Sequence, residues 1–208
     1  MRLCVFLTYA NIVDKKYTRK SKINGKINIL LSGFTNPDNK DLDGLIKLLD
    51  YLYDNSIDLF KFHVVNYYPL EELDVYGDLC KVYVDLKAKE MMKLLAEVDY
   101  VMTLTRKNSS YHRKQLTGII PLAISMGVPL IIDKDLAHIY EVSPKNSVVY
   151  PFTGVNTIKK TVLSLISISP SKYNSLKKGV LSYRKKMVSH YQKKMKSYVK
   201  KILEGLSH

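Results

Sequence analysis

Cysteine is nearly missing from this chain: Cys4 and Cys80 are the only two. Standing so far apart, they make neither a disulfide framework nor a zinc signature, which points to a reducing compartment. Long hydrophobic runs are missing as well. The longest, residues 119–132, is interrupted by Pro121, Gly127 and Pro129 and falls well short of the roughly 20 residues that span a bilayer. The apolar stretch at residues 3–7 is too short for the core of a cleavable signal, so a cytoplasmic protein is expected. No Walker-type glycine loop and no GxGxxG occurs, which argues against a nucleotide triphosphatase and a dinucleotide dehydrogenase. Acidic residues are scarce, 19 Asp and Glu against 33 Lys and Arg, for a net charge of +14. That balance favours an anionic partner: a nucleotide, a phosphosugar, nucleic acid or an acidic membrane face. Asp133, Asp135 and Glu141 fit no compact calcium-type loop.

With 208 residues and 46% hydrophobic content, the chain can close one α/β core but is short for two domains. Residues 3–8 read as an edge strand and 14–26 as a basic, polar arm. A short apolar run at 27–31, ending at Ser32-Gly33, leads through a polar loop to Leu42, Leu45, Ile46, Leu48, Leu49 and Leu52 at helical spacing. Further strands are expected at 57–65, 82–84, 100–104, 128–132 and 147–150. Helices are expected from 69–73, over 88–98, before Gly127 and over 155–166. Strand and helix alternate, and the strands are near-continuous apolar runs. The fold class expected is therefore α/β: a single Rossmann-like three-layer domain with a mostly parallel sheet and helices on both faces. This gives an arm at 1–26, a domain at 27–169, and a basic amphipathic helix at 170–208 whose apolar stripe includes Tyr183, Tyr191 and Tyr198.

Ligands of such sheets bind at the carboxyl ends of the strands, which here are Ser32-Gly33, Asp85, Thr105 and Asp133. The most informative segment is 115–133, QLTGIIPLAISMGVPLIID. It reads as a polar turn, a short helix and a buried strand, with Thr117 as helix cap, Gly118 allowing close approach, Pro121 in the first turn and Gly127 at the end. A helix start offers unpaired N–H groups and partial positive charge to an anion.

Taken in order, ILLSG at 29–33, NKDL at 39–42, VDYVM at 98–102 and PLAISMGVPLII at 121–132 resemble the C-terminal, donor-binding half of a GT-B glycosyltransferase. The opening strand with its Gly loop and Lys, the "adv" strand and the "EAMAxGxPVI" segment are the matching features. The resemblance implies transfer of a sugar from a nucleotide-diphosphate sugar, used as substrate without a further cofactor or metal. It puts Gly33 and Lys40 against the donor diphosphate and Thr117 and Gly118 where phosphate oxygens are held, with Asp85 and Thr105 at neighbouring strand ends. Lys114 and Leu122 stand where retaining members have a glutamate pair, and Phe34 replaces a common Arg, so the carboxylate that would grip the sugar is lost. Lys114, beside His112 and Arg113, can instead raise the positive potential over a diphosphate. His112 is the better candidate base for an acceptor hydroxyl, ahead of His138, because it precedes the phosphate turn.

An acceptor domain cannot be built from the stretch ahead of Ile27. The partners expected are therefore a nucleotide sugar, an acceptor-binding subunit or a second copy, and peripheral membrane contact. The alternative is a non-catalytic basic Rossmann-like module that engages nucleic acid or an acidic surface, with Tyr173, Tyr183, Tyr191 and Tyr198 available for stacking.

Overall fold

Alternation along INILLS sends Ile29 and Leu31 to one side of a sheet and Leu30 to the other, all three buried. The computed structural model describes residues 25–34, 38–107, 109–112, 117–151 and 154–205, and of residues 112, 200, 201 and 203–205 the backbone alone. The expected strand at 3–8, most of the basic arm and Lys114 lie outside the described residues.

In chain order the elements are β1 (Ile27–Ser32), α1 (Leu42–Asp54), β2 (Phe60–Asn66), a 3₁₀ segment Glu71–Leu79 and β3 (Cys80–Val84). Then come α2 (Ala88–Glu97), β4 (Tyr100–Met102), a 3₁₀ turn Ser110–His112, α3 (Ile119–Met126) and β5 (Leu130–Asp133). The chain closes with α4 (Lys134–Ile139), β6 (Ser147–Tyr150), α5 (Val155–Ser164) with a 3₁₀ turn Leu165–Ser167, and α6 (Pro170–Gly205). The six strands are ordered β3-β2-β1-β4-β5-β6, and every pair is parallel. The Rossmann-like α/β architecture read from the sequence is what forms.

Helices cover both faces. Leu45, Leu48, Leu49 and Leu52 of α1, with Ile158 and Val162 of α5, bury Ile29, Leu31, Phe62, Met102 and Ile131 on one side. Leu95 of α2, Ile120, Ala123 and Ile124 of α3, Leu136 of α4 and Val180 of α6 bury Leu30, Val101, Leu130 and Ile132 on the other. Two such layers remove most of the inner strands' apolar surface from water, at about 25 cal/mol per Å², while Val84 at the end of β3 stays exposed.

Where element bounds differ from the sequence reading, the backbone gives the reason. The strand expected at 57–65 starts at Phe60 because the Ile57 N–H closes the end of α1 on the Leu52 carbonyl at 2.8 Å. The strand expected at 128–132 starts at Leu130, since the Val128 N–H donates to Ala123 at 2.9 Å and Pro129 has none to give. The 69–73 helix is instead the 3₁₀ segment Glu71–Leu79, broken at Gly77. The unforeseen α4 forms because Asp133 caps it, its carboxylate accepting from the Asp135 and Leu136 amides.

Candidate functional site

In a wholly parallel sheet every carboxyl end lies on one edge, and here the strand order reverses between β1 and β4. Crossovers leave that point in opposite directions and open a crevice there. Gly33 turns out of β1 with φ of +81°, a conformation L-residues avoid, while its N–H still donates to Val65 at 3.0 Å. The chain then returns across the crevice. Lys40 and Thr105 form an isolated antiparallel bridge, flanked by Asp41 N–H to Leu104 at 3.3 Å and Arg106 N–H to Asn39 at 3.1 Å. This crossing also explains why β4 ends at Met102 and not at Leu104: the following backbone pairs with residues 39–41.

The crossing buries Lys40 beside Gly33. Only 2% of Lys40 is exposed, and a Cβ added at Gly33 would meet its Cε at 3.8 Å. No described carboxylate pairs with the ammonium, which lies 5.5 Å from the centre of the Tyr111 ring. Burial alone pulls its pKa from 10.5 down to about 8. A lysine in this position is a desolvated positive charge, which an anion would stabilise.

Neighbouring side chains fix the surroundings. The Asn39 Oδ1 accepts from the Ser110 N–H at 2.9 Å and the Ser110 hydroxyl at 2.6 Å, tying the Ser110–His112 turn next to Lys40. Arg106 donates through Nε to the Lys40 carbonyl at 3.3 Å and pairs with Asp43 at 3.0 Å. Thr105 is buried, and its hydroxyl donates to the Asp133 carboxylate at 3.2 Å. Thr105 thus braces the bridge from beneath.

The second turn on this edge leads into α3. Thr117 is not the helix cap: Gly118 is, without a side-chain hydrogen bond, and Thr117 is buried with its N–H donating to the Tyr140 hydroxyl at 2.9 Å. Tyr140 stands at the end of α4, so the helix that Asp133 starts also anchors the α3 turn. Gly118 is exposed, and Pro121 falls in the first turn, where its missing N–H costs nothing. Ile119 and Ile120 are first-turn positions of α3, where helix geometry supplies no intrahelical carbonyl for the amide.

The structure therefore brings Gly33, Lys40 and Thr105 together. Gly118 and Thr117 lie on the same sheet edge, after the neighbouring strand. Asp85 stands apart, exposed at the end of the outer strand β3 with φ of +48°. Its N–H donates to the Asn66 carbonyl at 2.9 Å. The Asn66 side chain gives its amide to Tyr68 at 2.9 Å, while its buried Oδ1 meets no donor among the described residues. Tyr67 and Tyr68 beside it are well exposed, edge to face at 5.0 Å. His112 has its backbone in the tethered turn; its side chain and all of Lys114 are outside the described residues. Sequence reading missed Asn39, Arg106, Tyr111 and Tyr140. Only Asn39 carried a signal, its adjacency to Lys40. A cavity of about 330 Å³ lined by Leu59, Asp99, Tyr100, Ile168 and Tyr173 opens at the opposite, amino ends of β1 and β4.

No family model matches the chain, and no curated protein matches it in sequence. In three dimensions the C-terminal domain of the glycosyl transferase group 1 family protein LpcC from Francisella tularensis superimposes with a TM-score of 0.58 at 13% identity. The match covers 86% of this chain and 97% of that one. Anabaena HepE, solved with UDP and glucose, superimposes with a TM-score of 0.64 at 13% identity over 90% of this chain and 55% of HepE. Sucrose-phosphate synthase from Thermosynechococcus elongatus gives 0.64 at 12% identity over 93% and 51%.

The chain has the fold of a GT-B glycosyltransferase C-terminal domain.

This GT-B fold spans about half the length of HepE and of sucrose-phosphate synthase. The order of motifs along β1, β4, α3 and β5 that resembled the donor-binding half is thus matched by architecture. Within the GT-B frame, the switch-point crevice holding Lys40 is the feature this chain's own side chains build most completely.

Proposed function

We propose that the chain binds the diphosphate of a nucleotide sugar in the crevice between Gly33, Lys40 and the Gly118 turn, and serves as a glycosyltransferase or its donor-binding subunit. The observation carrying this is Lys40: a buried ammonium with no described carboxylate beside it, at the reversal point of a parallel sheet. Transfer leaves negative charge on the departing diphosphate, and a fixed positive group in a dry crevice stabilises it as it develops. The amides at the start of α3 would add to that field, and Gly33 lets phosphate oxygens approach the backbone. Lys114 would raise the potential further. The nucleoside would extend toward β2 and β3, where the buried Asn66 Oδ1, the exposed Tyr67 and Tyr68 and Asp85 offer an acceptor, ring faces and a carboxylate. His112, in the turn held by Asn39, is the group for deprotonating an acceptor hydroxyl. The acceptor itself would be presented by a second domain, a partner subunit or another copy.

Calorimetric titration with UDP, UDP-glucose and a panel of other nucleotides and nucleotide sugars tests the reading. Binding of a diphosphate that Lys40→Met weakens at least roughly tenfold supports it, in line with the loss of a charge-assisted contact. No binding by any nucleotide at millimolar concentration would sink it.

A further inference from the structure

The helix α6 runs for 36 residues, yet only its first half has the domain beneath it. Leu176, Val180 and Met187 are buried, Tyr173 donates to the Asp99 carbonyl at 3.1 Å, Tyr183 donates to the Tyr140 carbonyl, and Arg184 reaches the Ser125 carbonyl at 2.5 Å. Beyond Met187 no described residue is buried. The apolar stripe nevertheless continues in register: Tyr191, Met195, Tyr198, Val199 and Ile202 recur at helical spacing on the side that faces the core earlier. Tyr198, Val199 and Ile202 are exposed by 63%, 46% and 45%. By register Lys194 borders this stripe on one flank and Lys196 on the other, with Lys193 behind.

Charge says what covers the stripe. Residues 170–205 carry eleven Lys and Arg against one carboxylate, Glu204, and no Asp or Glu occurs between Glu141 and Glu204. A second copy would bring eleven more positive charges against these. Nucleic acid would use the lysines but leave Met195, Val199 and Ile202 without a role. No described helix is long and apolar enough to cross a membrane. A helix with an apolar stripe between lysines, ten of the eleven basic groups being Lys and not Arg, suits a surface that is apolar below and anionic above. We propose that the second half of α6 lies in the headgroup layer of an anionic membrane, with Tyr191, Met195, Tyr198, Val199 and Ile202 directed into the acyl boundary. The domain is thereby tethered at a bilayer surface independently of the donor crevice.

Because the chain contains no tryptophan, a single one reports its own surroundings. The full chain carrying Tyr198→Trp is titrated, without nucleotide, with vesicles of phosphatidylcholine alone and with vesicles containing phosphatidylglycerol. Expected are a blue shift and quenching by brominated acyl chains with the anionic vesicles only. Tyr53→Trp, on the exposed side of α1, should show neither. In flotation, Lys193→Gln/Lys194→Gln/Lys196→Gln should lower partitioning about a hundredfold, near fivefold per lysine. Val199→Gln/Ile202→Gln, which keeps the charge, should also release the protein. Far-ultraviolet circular dichroism checks that each variant retains its helix. The proposal is overturned by absence of binding to anionic vesicles, by equal binding to both vesicle types, by unchanged binding of either variant, or by self-association that Val199→Gln/Ile202→Gln abolishes.

Discussion

Lys40 sets stability against the proposed diphosphate binding within one side chain. Its folded pKa of about 8 lies below the 10.5 of an unfolded lysine, so between those values the unfolded chain binds more protons and stability rises with pH. The ammonium therefore costs about 3 kcal/mol of stability below pH 8. Lys40→Met should raise the melting temperature of the ligand-free protein near pH 7 and abolish the shift produced by a nucleotide diphosphate. Calorimetric scanning with and without UDP reads both. Diphosphate affinity of the wild type should also fall as pH climbs through about 8, since the neutral amine no longer attracts phosphate. His63 acts in the same sense at lower pH. Its ring lies between the Tyr83 hydroxyl and Asn28 Oδ1, each at 3.0 Å, and burial with Lys61 and Lys81 nearby lowers its pKa from 6.5 to about 4. It folds neutral, so stability present above pH 6.5 is lost as pH falls toward 4, by at most about 3 kcal/mol. Urea midpoints measured from pH 7 down to 4.5 should decline, and His63→Gln should flatten that decline. Lys40 was legible beforehand through its motif. His63 was not, because nothing local in FKFHVVN says that Asn28 and Tyr83 will stand on either side of it.

Among the elements, α6 depends on close backbone approach. A Cβ at Gly179 would come within 2.1 Å of the Lys145 carbonyl oxygen, so the helix meets the loop before β6 without room for a methyl group. Gly179→Ala gains roughly 1 kcal/mol of helix propensity but should lose more to overpacking, which costs about 1–3 kcal/mol. The net is expected to be a lower melting temperature with helix content retained, seen by circular dichroism. The α3 turn shows how far periodicity reaches. Gly127 ends that helix with φ of +72°, as its position after an apolar run suggested. Thr117, in contrast, had the residue type of a cap but is held by Tyr140, a partner twenty-three positions away in sequence. The Tyr140 hydroxyl ties down the Thr117 backbone, and the helix starts one residue later, at Gly118.

Across the whole molecule, positive charge gathers in two places, a crevice at the sheet's carboxyl edge and a lysine-rich helix projecting past the core, and separate ligands are proposed for the two. Ligand at about one hundred times its dissociation constant should stabilise the domain by about 2.7 kcal/mol and raise its melting point by roughly 5–10 °C. That shift should survive moderate salt better than vesicle binding does, because a buried contact is screened less than exposed lysines. Differential scanning fluorimetry with a nucleotide sugar in 50 and 300 mM salt, beside flotation in the same buffers, separates the two. The layers and the strand–helix alternation could be read from the residues alone, because these follow from the spacing of apolar residues along contiguous segments. The sequence also marked Gly33 and Lys40. It took the folded chain to bring 39–41 across 104–106 and bury Lys40, to let Asp133 brace Thr105 while capping α4, and to leave α6 outrunning its support. Each depends on segments far apart in sequence meeting at one edge, and no local pattern encodes which polar groups desolvate one another there.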